Sequence, residues 1–214
     1  MGKVSLAAEA AETSARFIDS TYYGSAEQWT ALWWDDRLPF RALFDTMDLE
    51  TTVDLAAGYG RHAEYSAPLA GKLVLMDVIE RNLKVCRVRL AQRFPGLLYI
   101  HNNGYDYQPL KACAVSAIYC YDAMVHFTAN LVQSYLVDTA RVLRPGGRAL
   151  FHHSNYNGPQ MVHFGQHPHA RQRMTQNLFV SFALAAGLRV VESQIMPWSD
   201  VPALDCVTLV ERPA

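Results

Sequence analysis

The stretch TVDLAAGYGRHA, residues 52–63, decides the fold. A short apolar run around Asp54 leads into a turn with Gly58 and Gly60, and helical spacing follows the turn. Glycine permits positive φ angles and lets a ligand approach the backbone closely. A helix that begins after such a turn points its first amide hydrogens at that ligand. The stretch therefore predicts a strand, a turn and a helix that together bind a nucleotide-type cofactor.

Downstream of this stretch, short apolar runs alternate with stretches of helical spacing. The runs that predict strands are 53–56, 72–77, 97–101, 114–120 and 149–153. Such alternation is typical of a parallel sheet with helices on both faces, which binds its ligand at the carboxyl ends of the strands. Two last runs, 188–196 and 206–211, are joined by a short turn and predict an antiparallel hairpin. We therefore expect an α/β fold with seven strands, mostly parallel, and an antiparallel C-terminal strand.

The N-terminal part of the chain predicts a helical extension. Residues 5–18 and about 25–48 have helical spacing, and Pro39 is expected to interrupt the second helix. Its larger aromatic residues are Trp29, Trp33, Trp34, Phe40 and Phe44. These rings either hold the helices against the sheet or line a substrate pocket. We expect residues 1–48 to form a helical lid and residues 49–214 to form one compact domain.

The composition is that of a soluble globular protein. Half of the 214 residues are hydrophobic, 18% are charged and the net charge is -1. This charge gives no general attraction to nucleic acid or anionic membranes, so neither is expected as a partner. Residues 1–50 are acid-rich and the next third is basic, which indicates either a solvated helix face or a basic docking face. No apolar run reaches the roughly 18 residues of a membrane span.

The cysteines Cys86, Cys113, Cys120 and Cys206 form no C-x-x-C pair and stand in apolar stretches. They are expected to be reduced core thiols, which favours a cytoplasmic location. The sequence leaves open whether the protein is a monomer or a homodimer.

The glycine turn fits two cofactors. The residues Gly58, Gly60 and Ala63 match the dinucleotide fingerprint G-x-G-x-x-G/A, and Asp77 follows at about the distance needed to hold a ribose. The same turn resembles motif I of the class I S-adenosylmethionine-dependent methyltransferases, D-x-G-x-G-x-G, with Ala56 in place of the first glycine. Taken alone, the turn does not distinguish a dinucleotide from S-adenosylmethionine.

Two other features resemble the methyltransferase family. Residues 141–147, RVLRPGG, are similar to that family's junction before strand five. The C-terminal hairpin resembles its antiparallel strand seven, inserted beside strand six. The resemblance covers about residues 50–212. It implies a Rossmann-like fold and S-adenosylmethionine as the cofactor.

The resemblance also implies which residues bind the cofactor. Asp77, at the end of the second strand, would accept hydrogen bonds from the ribose hydroxyls, with Val78 beside it. Asn103 would accept from the adenine amino group, and Asp106 competes for this role. The remaining expected contacts are Asp54, Ala56, Gly58 and Gly60 in the turn, Gly104, and the backbone near Tyr119, which would accept from the cofactor ammonium.

Three residues near the ends of strands four and five are catalytic candidates. Methyl transfer needs alignment in a dry pocket, and it needs a base when the acceptor atom holds a proton. Asp122 is expected to face the reaction space, and His126 resembles a family histidine that is either catalytic or structural. His153 is the preferred general base, although His152 is an alternative because adjacent strand residues point to opposite faces.

A metal site is not expected. The histidines that could supply one, with Asp122, are His152, His153, His163, His167 and His169. Their spacing fits no compact ligand motif.

The runs YCYDAMVHF (119–127), HHSN (152–155) and DCVTLVER (205–212) resemble a bacterial subgroup of small methyltransferases. That subgroup is linked to O-methylation of sugars and other small molecules, which implies a small-molecule acceptor with a hydroxyl group. The alternatives are N-methylation of a small amine or a protein side chain, a non-catalytic cofactor-binding protein, and a NAD(P)-dependent reductase. The Asn/Asp-Pro-Pro-Tyr motif of amide N-methyltransferases is absent after strand four.

Overall fold

The computed structural model describes residues 3–159 and 170–214, with a seven-stranded sheet at the centre. The strands are β1 (Thr51–Leu55), β2 (Lys72–Asp77), β3 (Leu98–His101), β4 (Val115–Cys120), β5 (Leu143–Ser154), β6 (Arg189–Trp198) and β7 (Val201–Glu211). Their order in the sheet is β3-β2-β1-β4-β5-β7-β6. β1 to β5 pair in parallel, and β7 runs antiparallel to both β5 and β6. The predicted sheet is confirmed.

Helices cover both faces of the sheet. They are α1 (Lys3–Ala15), α2 (Tyr22–Ser25), α3 (Thr30–Trp33), α4 (Pro39–Phe44), α5 (Ala63–Ser66), α6 (Glu80–Leu90), α7 (Ala129–Val142) and α8 (Gln176–Ala185), with 3₁₀ turns at Ala26–Trp29 and Met124–His126. Apolar residues of α7 and α8 pack in one core, and those of α4 and α6 pack in the other. Thr128 caps α7, because its hydroxyl accepts from the Leu131 N–H at 3.4 Å.

Three element boundaries differ from the sequence prediction. Pro39 begins α4 instead of interrupting a longer helix, since a residue without an N–H is tolerated in the first helical turn. β5 begins at Leu143, so Pro145 to Gly147 lie within the strand instead of before it. β6 and β7 both extend toward the hairpin, leaving only residues 199–200 between them, and Ser199 takes a positive φ of 51° there.

Most of the N-terminal aromatic residues fall into two groups, whereas Trp29 is exposed and belongs to neither. Trp34, Phe40 and Phe44 are buried in the core, where the Phe40 ring stacks on Tyr121 with centroids 3.7 Å apart. Tyr22 and Tyr23 instead line a cavity above the sheet. The first group therefore holds helices against the sheet, and the second contributes to a pocket.

Part of the uneven charge is paired internally, by ion pairs that join α6 to the N-terminal segment and to α5. Arg81 pairs with Asp19, and Arg89 pairs with Glu27 and, at 2.8 Å, with Glu64. These pairs favour a solvated, internally paired helix face over a docking surface.

All four cysteines are free, and three are buried as expected, but Cys113 is exposed. In the part of the chain that the structure describes, every helix is too short or too polar to cross a membrane.

Candidate active site

A cavity lies at the carboxyl ends of β1, β2 and β4. The turn after β1, the loop after β2 and the loop after β4 line it, at residues 55–59, 77–79 and 121–123. The N-terminal segment covers it, and Phe17 and Tyr22 contribute side chains. The cavity therefore lies where an open parallel sheet places its ligand site.

The glycine turn has the backbone that its sequence predicts. Ala56, Gly58 and Gly60 all have positive φ, at 60°, 56° and 79°. Ala56 and Gly58 line the cavity, whereas Gly60 does not. A Cβ atom at Gly60 would lie 2.7 Å from Leu90 Cδ1, so this glycine lets α6 pack against the turn. The role of Gly60 is thus close packing, and the cavity surface comes from the first half of the turn.

Asp77 connects the turn to the loop after β2. Its Oδ2 accepts from the Gly58 N–H at 2.8 Å, and its Oδ1 accepts from the Ile79 N–H at 2.8 Å and from Asn82 Nδ2 at 3.2 Å. Burial raises the pKa of Asp77 to about 6, although these three donors lower it. A carboxylate has about four acceptor positions, so three are used within the protein. Asp77 and its neighbour Val78 both line the cavity.

The loop after β3 contributes the expected Gly104, but not the expected Asn103. The Asn103 side chain closes its own turn: Nδ2 donates to Asp106 Oδ1 at 2.7 Å, and Oδ1 accepts from the N–H groups of Tyr105 and Asp106 at 3.0 Å. Asparagine commonly closes a turn in this way. Asn103 is not a lining residue, whereas Asn102 and Gly104 are. The asparagine that lines the cavity is therefore Asn102.

Asp54 and Tyr119 lie beneath the cavity and do not line it. Burial raises the pKa of Asp54 to about 7, although a hydrogen bond from Tyr119 lowers it. The Tyr119 hydroxyl is also 2.8 Å from Ser66 Oγ. These side chains support the strands under the turn.

Asp122, after β4, lies at the centre of a polar cluster in the cavity. Its Oδ2 accepts from the Tyr22 hydroxyl and, at 2.7 Å, from the Arg61 guanidinium. Its Oδ1 is buried without a hydrogen-bond partner in residues 3–159 and 170–214. The Arg61 guanidinium stacks 4.0 Å from the centre of the Trp33 ring. Tyr22 and Arg61 were not predicted as site residues, although Arg61 stands in the decisive stretch immediately after the turn.

The three strand-end histidines have different environments. His126 lines the cavity and its ring lies 5.0 Å from that of Phe17. Burial lowers the pKa of His126 to about 3. His153 is on the other face of the sheet, stacked on Phe179 with centroids 3.8 Å apart. Its Nε2 is 2.9 Å from Thr208 Oγ1, and burial lowers its pKa to about 3. This placement does not agree with the expected general base, because His153 does not reach the cavity.

His152 is the histidine that points toward the loop after β4. Its Nδ1 accepts from the Asp122 N–H at 3.1 Å, and its Nε2 is 3.0 Å from Asp205 Oδ2. The alternation of side chains in β5 explains why one histidine of the pair supports the site and the other packs behind it.

No group of three or more histidine, cysteine, aspartate or glutamate side chains could hold a metal within residues 3–159 and 170–214. The candidates His163, His167 and His169 lie outside the described residues.

The charges that line the cavity suit a cationic ligand better than a pyrophosphate. Asp77 and Asp122 are its carboxylates. Arg61 is the only arginine or lysine among its described lining residues, and it already pairs with Asp122. A pyrophosphate needs unpaired donors or cations, whereas a sulfonium or an ammonium is stabilised by nearby carboxylates.

Comparison with known proteins agrees with this geometry. A family model described as a methyltransferase domain matches residues 52–147. A search of curated proteins finds no match.

Several solved structures share the fold at low sequence identity. The S-adenosylmethionine-dependent methyltransferase from Mesorhizobium loti has a TM-score of 0.66 and 15% identity, over 89% of this chain and 100% of that one. The 1,6-didemethyltoxoflavin-N1-methyltransferase from Burkholderia thailandensis has a TM-score of 0.67 and 18% identity, over 94% and 89%. The geranyl diphosphate C-methyltransferase from Streptomyces coelicolor A3(2) has a TM-score of 0.64 and 12% identity, over 80% and 76%. The named substrates differ, so these relatives share a fold with this chain without indicating its acceptor.

Proposed function

We propose that this chain, of which residues 52–147 match a methyltransferase-domain family model, is a class I S-adenosylmethionine-dependent methyltransferase that transfers the methyl group to a hydroxyl of a small-molecule acceptor. The observation that carries the proposal is Asp122, a buried carboxylate in the cavity with one oxygen already bonded to a hydroxyl, that of Tyr22. Its other oxygen has no partner in the described parts of the chain. An acceptor hydroxyl can donate to that oxygen in the same way.

The residues at the turn fit S-adenosylmethionine. Three donors within the protein already bind Asp77, which leaves one acceptor position for a ribose hydroxyl. The carboxylate would therefore accept from one ribose hydroxyl instead of the expected two. Val78 and Ile79 would offer an apolar wall for the adenine, and Gly104 lines the same cavity. When bound, the cofactor supplies an electrophilic methyl group. The cavity carboxylates Asp77 and Asp122 would stabilise its sulfonium charge.

Asp122 is the proposed base. Its carboxylate orients the acceptor hydroxyl and takes its proton, while Arg61 holds the carboxylate in place at 2.7 Å. His126 faces the same cavity, but a pKa of about 3 makes it a weak base, so we assign it to the wall. The hydrophobic residues around the site exclude water, which favours transfer to the acceptor over side reactions.

We also propose that the N-terminal segment is a lid. The Tyr22 hydroxyl donates a hydrogen bond to Asp122 in the loop after β4. Ala10 packs against Gly104 in the loop after β3, where a Cβ atom on Gly104 would lie 2.9 Å from Ala10 Cβ. The N-terminal segment therefore contacts both of these loops. The proposed division places the lid in residues 1–48 and the catalytic domain in residues 49–214. A cytoplasmic location and either a monomeric or a homodimeric state complete the proposal.

The experiment that tests the function measures S-adenosylhomocysteine formation with a panel of small hydroxyl acceptors and their amine analogues. Transfer to hydroxyls is the expected result. Transfer to amines alone would favour N-methylation, the activity named for the toxoflavin relative. Binding of S-adenosylhomocysteine without transfer to any acceptor would favour a non-catalytic role. Calorimetry with NAD(P)H tests the reductase alternative, which requires tight nicotinamide binding.

Replacing Asp77 by asparagine is expected to weaken S-adenosylhomocysteine binding by about 1–3 kcal/mol, the usual effect of losing a charged hydrogen-bond partner. Asparagine keeps the size of the side chain and one oxygen for the Gly58 N–H, so the turn should persist. Isothermal titration calorimetry measures the affinity, and thermal unfolding without ligand checks the fold. Unchanged affinity would remove Asp77 from the cofactor site.

The affinity for S-adenosylhomocysteine should also depend on pH through Asp77. Because the pKa of Asp77 is about 6, the carboxylate accepts the ribose hydrogen bond above that pH and becomes protonated below it. We therefore expect the affinity to fall as the pH decreases through about 6. The Asp77→Asn variant is the matched control and should show a flatter profile. Equal profiles for the two proteins would assign the dependence to another group, of which Asp54 is the nearest candidate.

A further inference from the structure

His62 presents a fixed hydrogen-bond donor at the cavity. Trp34 Nε1, which can only donate, lies 3.1 Å from His62 Nδ1. Nδ1 is therefore the acceptor, and the hydrogen of the neutral ring is on Nε2. Burial, with a smaller effect of Arg61, lowers the pKa of His62 well below its ordinary value, so the ring stays neutral. The tautomer follows from the geometry of the Trp34 contact.

The Nε2–H group of His62 has no hydrogen-bond partner within residues 3–159 and 170–214. The residue lines the cavity and is only 4% exposed. Its ring stacks on Trp33 and Tyr121, with centroids 5.7 and 4.9 Å away, so packing and the Trp34 bond both restrict its rotation. A buried donor without an acceptor is costly, and native proteins rarely keep one without a reason.

Asp122, which lines the same cavity, offers the complementary group. Its unpartnered Oδ1 is an acceptor, whereas His62 Nε2 is a donor. The two residues are linked twice: Arg61, adjacent to His62, binds Asp122 at 2.7 Å, and Tyr121, adjacent to Asp122, stacks on His62. The cavity is therefore lined by one residue with an unpartnered buried acceptor and by another with an unpartnered buried donor, as far as the described residues go.

We propose that His62 and Asp122 together select an acceptor molecule that carries a second, hydrogen-bond-accepting oxygen beside its reacting hydroxyl. The hydroxyl donates to Asp122 Oδ1, and the neighbouring oxygen accepts from His62 Nε2. Catechols, vicinal diols and α-hydroxy ketones belong to this class. The inference rests on the proposed function and names its substrate class.

The test uses catechol and phenol as matched probes, because aromatic residues such as Phe17 and Phe127 line the cavity. Each is titrated by NMR into the protein saturated with S-adenosylhomocysteine. We expect catechol to bind about three- to tenfold more tightly than phenol, the gain from one net hydrogen bond. His62→Phe keeps an aromatic ring beside Trp33 and removes the donor, so the preference should vanish. His62→Gln keeps an N–H donor and should restore part of it.

Equal binding of the two probes by the unmodified protein would overturn the inference, and so would a preference that survives in His62→Phe. Nitrogen-15 spectra of the imidazole give a second readout without any acceptor. They should show a neutral Nε2–H tautomer, and the Nδ1–H tautomer would contradict the proposal. These outcomes distinguish a failure of this inference from a failure of the proposed function. Preferred catechol binding without methyl transfer would support selection by His62 and contradict hydroxyl methylation. Methyl transfer with equal binding of catechol and phenol would support hydroxyl methylation and contradict selection by His62.

Discussion

Replacing Asp205 by alanine is expected to destabilise the protein by about 3–5 kcal/mol, the cost of breaking a buried ion pair from one side. Asp205 and Arg171 both have fully buried side chains and form a two-point contact, with distances of 2.7 and 2.8 Å. Without the carboxylate, the Arg171 guanidinium keeps its charge in the interior and loses its anionic partner. Urea unfolding measures the change in the free energy of unfolding.

Asp45→Ala is the matched control. Asp45 also pairs with an arginine, Arg41 at 2.8 Å, but its side chain is 46% exposed, so its loss should cost no more than about 1 kcal/mol. Asp205→Asn should fall between the two, because it removes the charge and retains one acceptor. A loss at Asp205 as small as the loss at Asp45 would mean that Arg171 can reach water or another anion.

The pKa of Asp205 explains why this pair stabilises the fold at neutral pH. Burial alone would raise the pKa, but His152 and Arg171 together hold it below the ordinary value. A carboxyl group whose pKa is lower in the folded protein stabilises the fold above its unfolded pKa of about 3.9, and this contribution is lost as the pH falls below that value. The carboxylate is therefore fully effective under physiological conditions.

The same pair supports the active site. Asp205 accepts from His152 Nε2–H, and His152 Nδ1 accepts from the Asp122 N–H. Asp122 has a positive φ of 56°, which a non-glycine residue adopts only when its surroundings hold it there. Buried hydrogen bonds thus connect Asp205 in β7, through His152 in β5, to the loop after β4 that carries the proposed base.

The sheet and its ligand edge could be predicted from sequence because their signals are local. Neighbouring residues and the spacing of apolar side chains determine three of these features. They are the glycine turn, the buried run of β2 and the end of the C-terminal hairpin. The same reasoning assigned Asp77 to the cavity, since a polar residue directly after a buried parallel strand lies at the carboxyl edge. The structure places it there.

The composition of the polar cluster could not be predicted, because it depends on contacts between distant segments. Tyr22 and Arg61 meet Asp122 across 100 and 61 positions of sequence. The choice between His152 and His153 depends on which face of β5 turns toward the loop after β4. A shift of one residue in the register of β5 would exchange the faces on which His152 and His153 lie. Two adjacent histidines do not indicate which register the strand adopts. Asn103 was misassigned for a related reason, since its side chain closes a local turn.

The strongest effect on catalysis is expected from Asp122→Asn, which should lower turnover by about a hundredfold or more, the range for losing a general base. The amide has nearly the same shape, but it cannot take the acceptor proton. It also leaves Arg61 beside a neutral group, so the cavity loses one of the two carboxylates that would stabilise a sulfonium. Steady-state formation of S-adenosylhomocysteine gives the turnover number, and calorimetry gives the cofactor affinity.

Two comparisons separate a chemical role of Asp122 from a structural one. Asp45→Asn makes the same chemical change at an exposed helix end and should leave both turnover and unfolding unaltered. An acceptor that is already deprotonated, such as a phenol of low pKa, needs no base, so Asp122→Asn should lose much less turnover with it than with an alcohol. If both acceptors lose turnover equally, Asp122 aligns the substrates or holds the loop, and the proton must leave by another route.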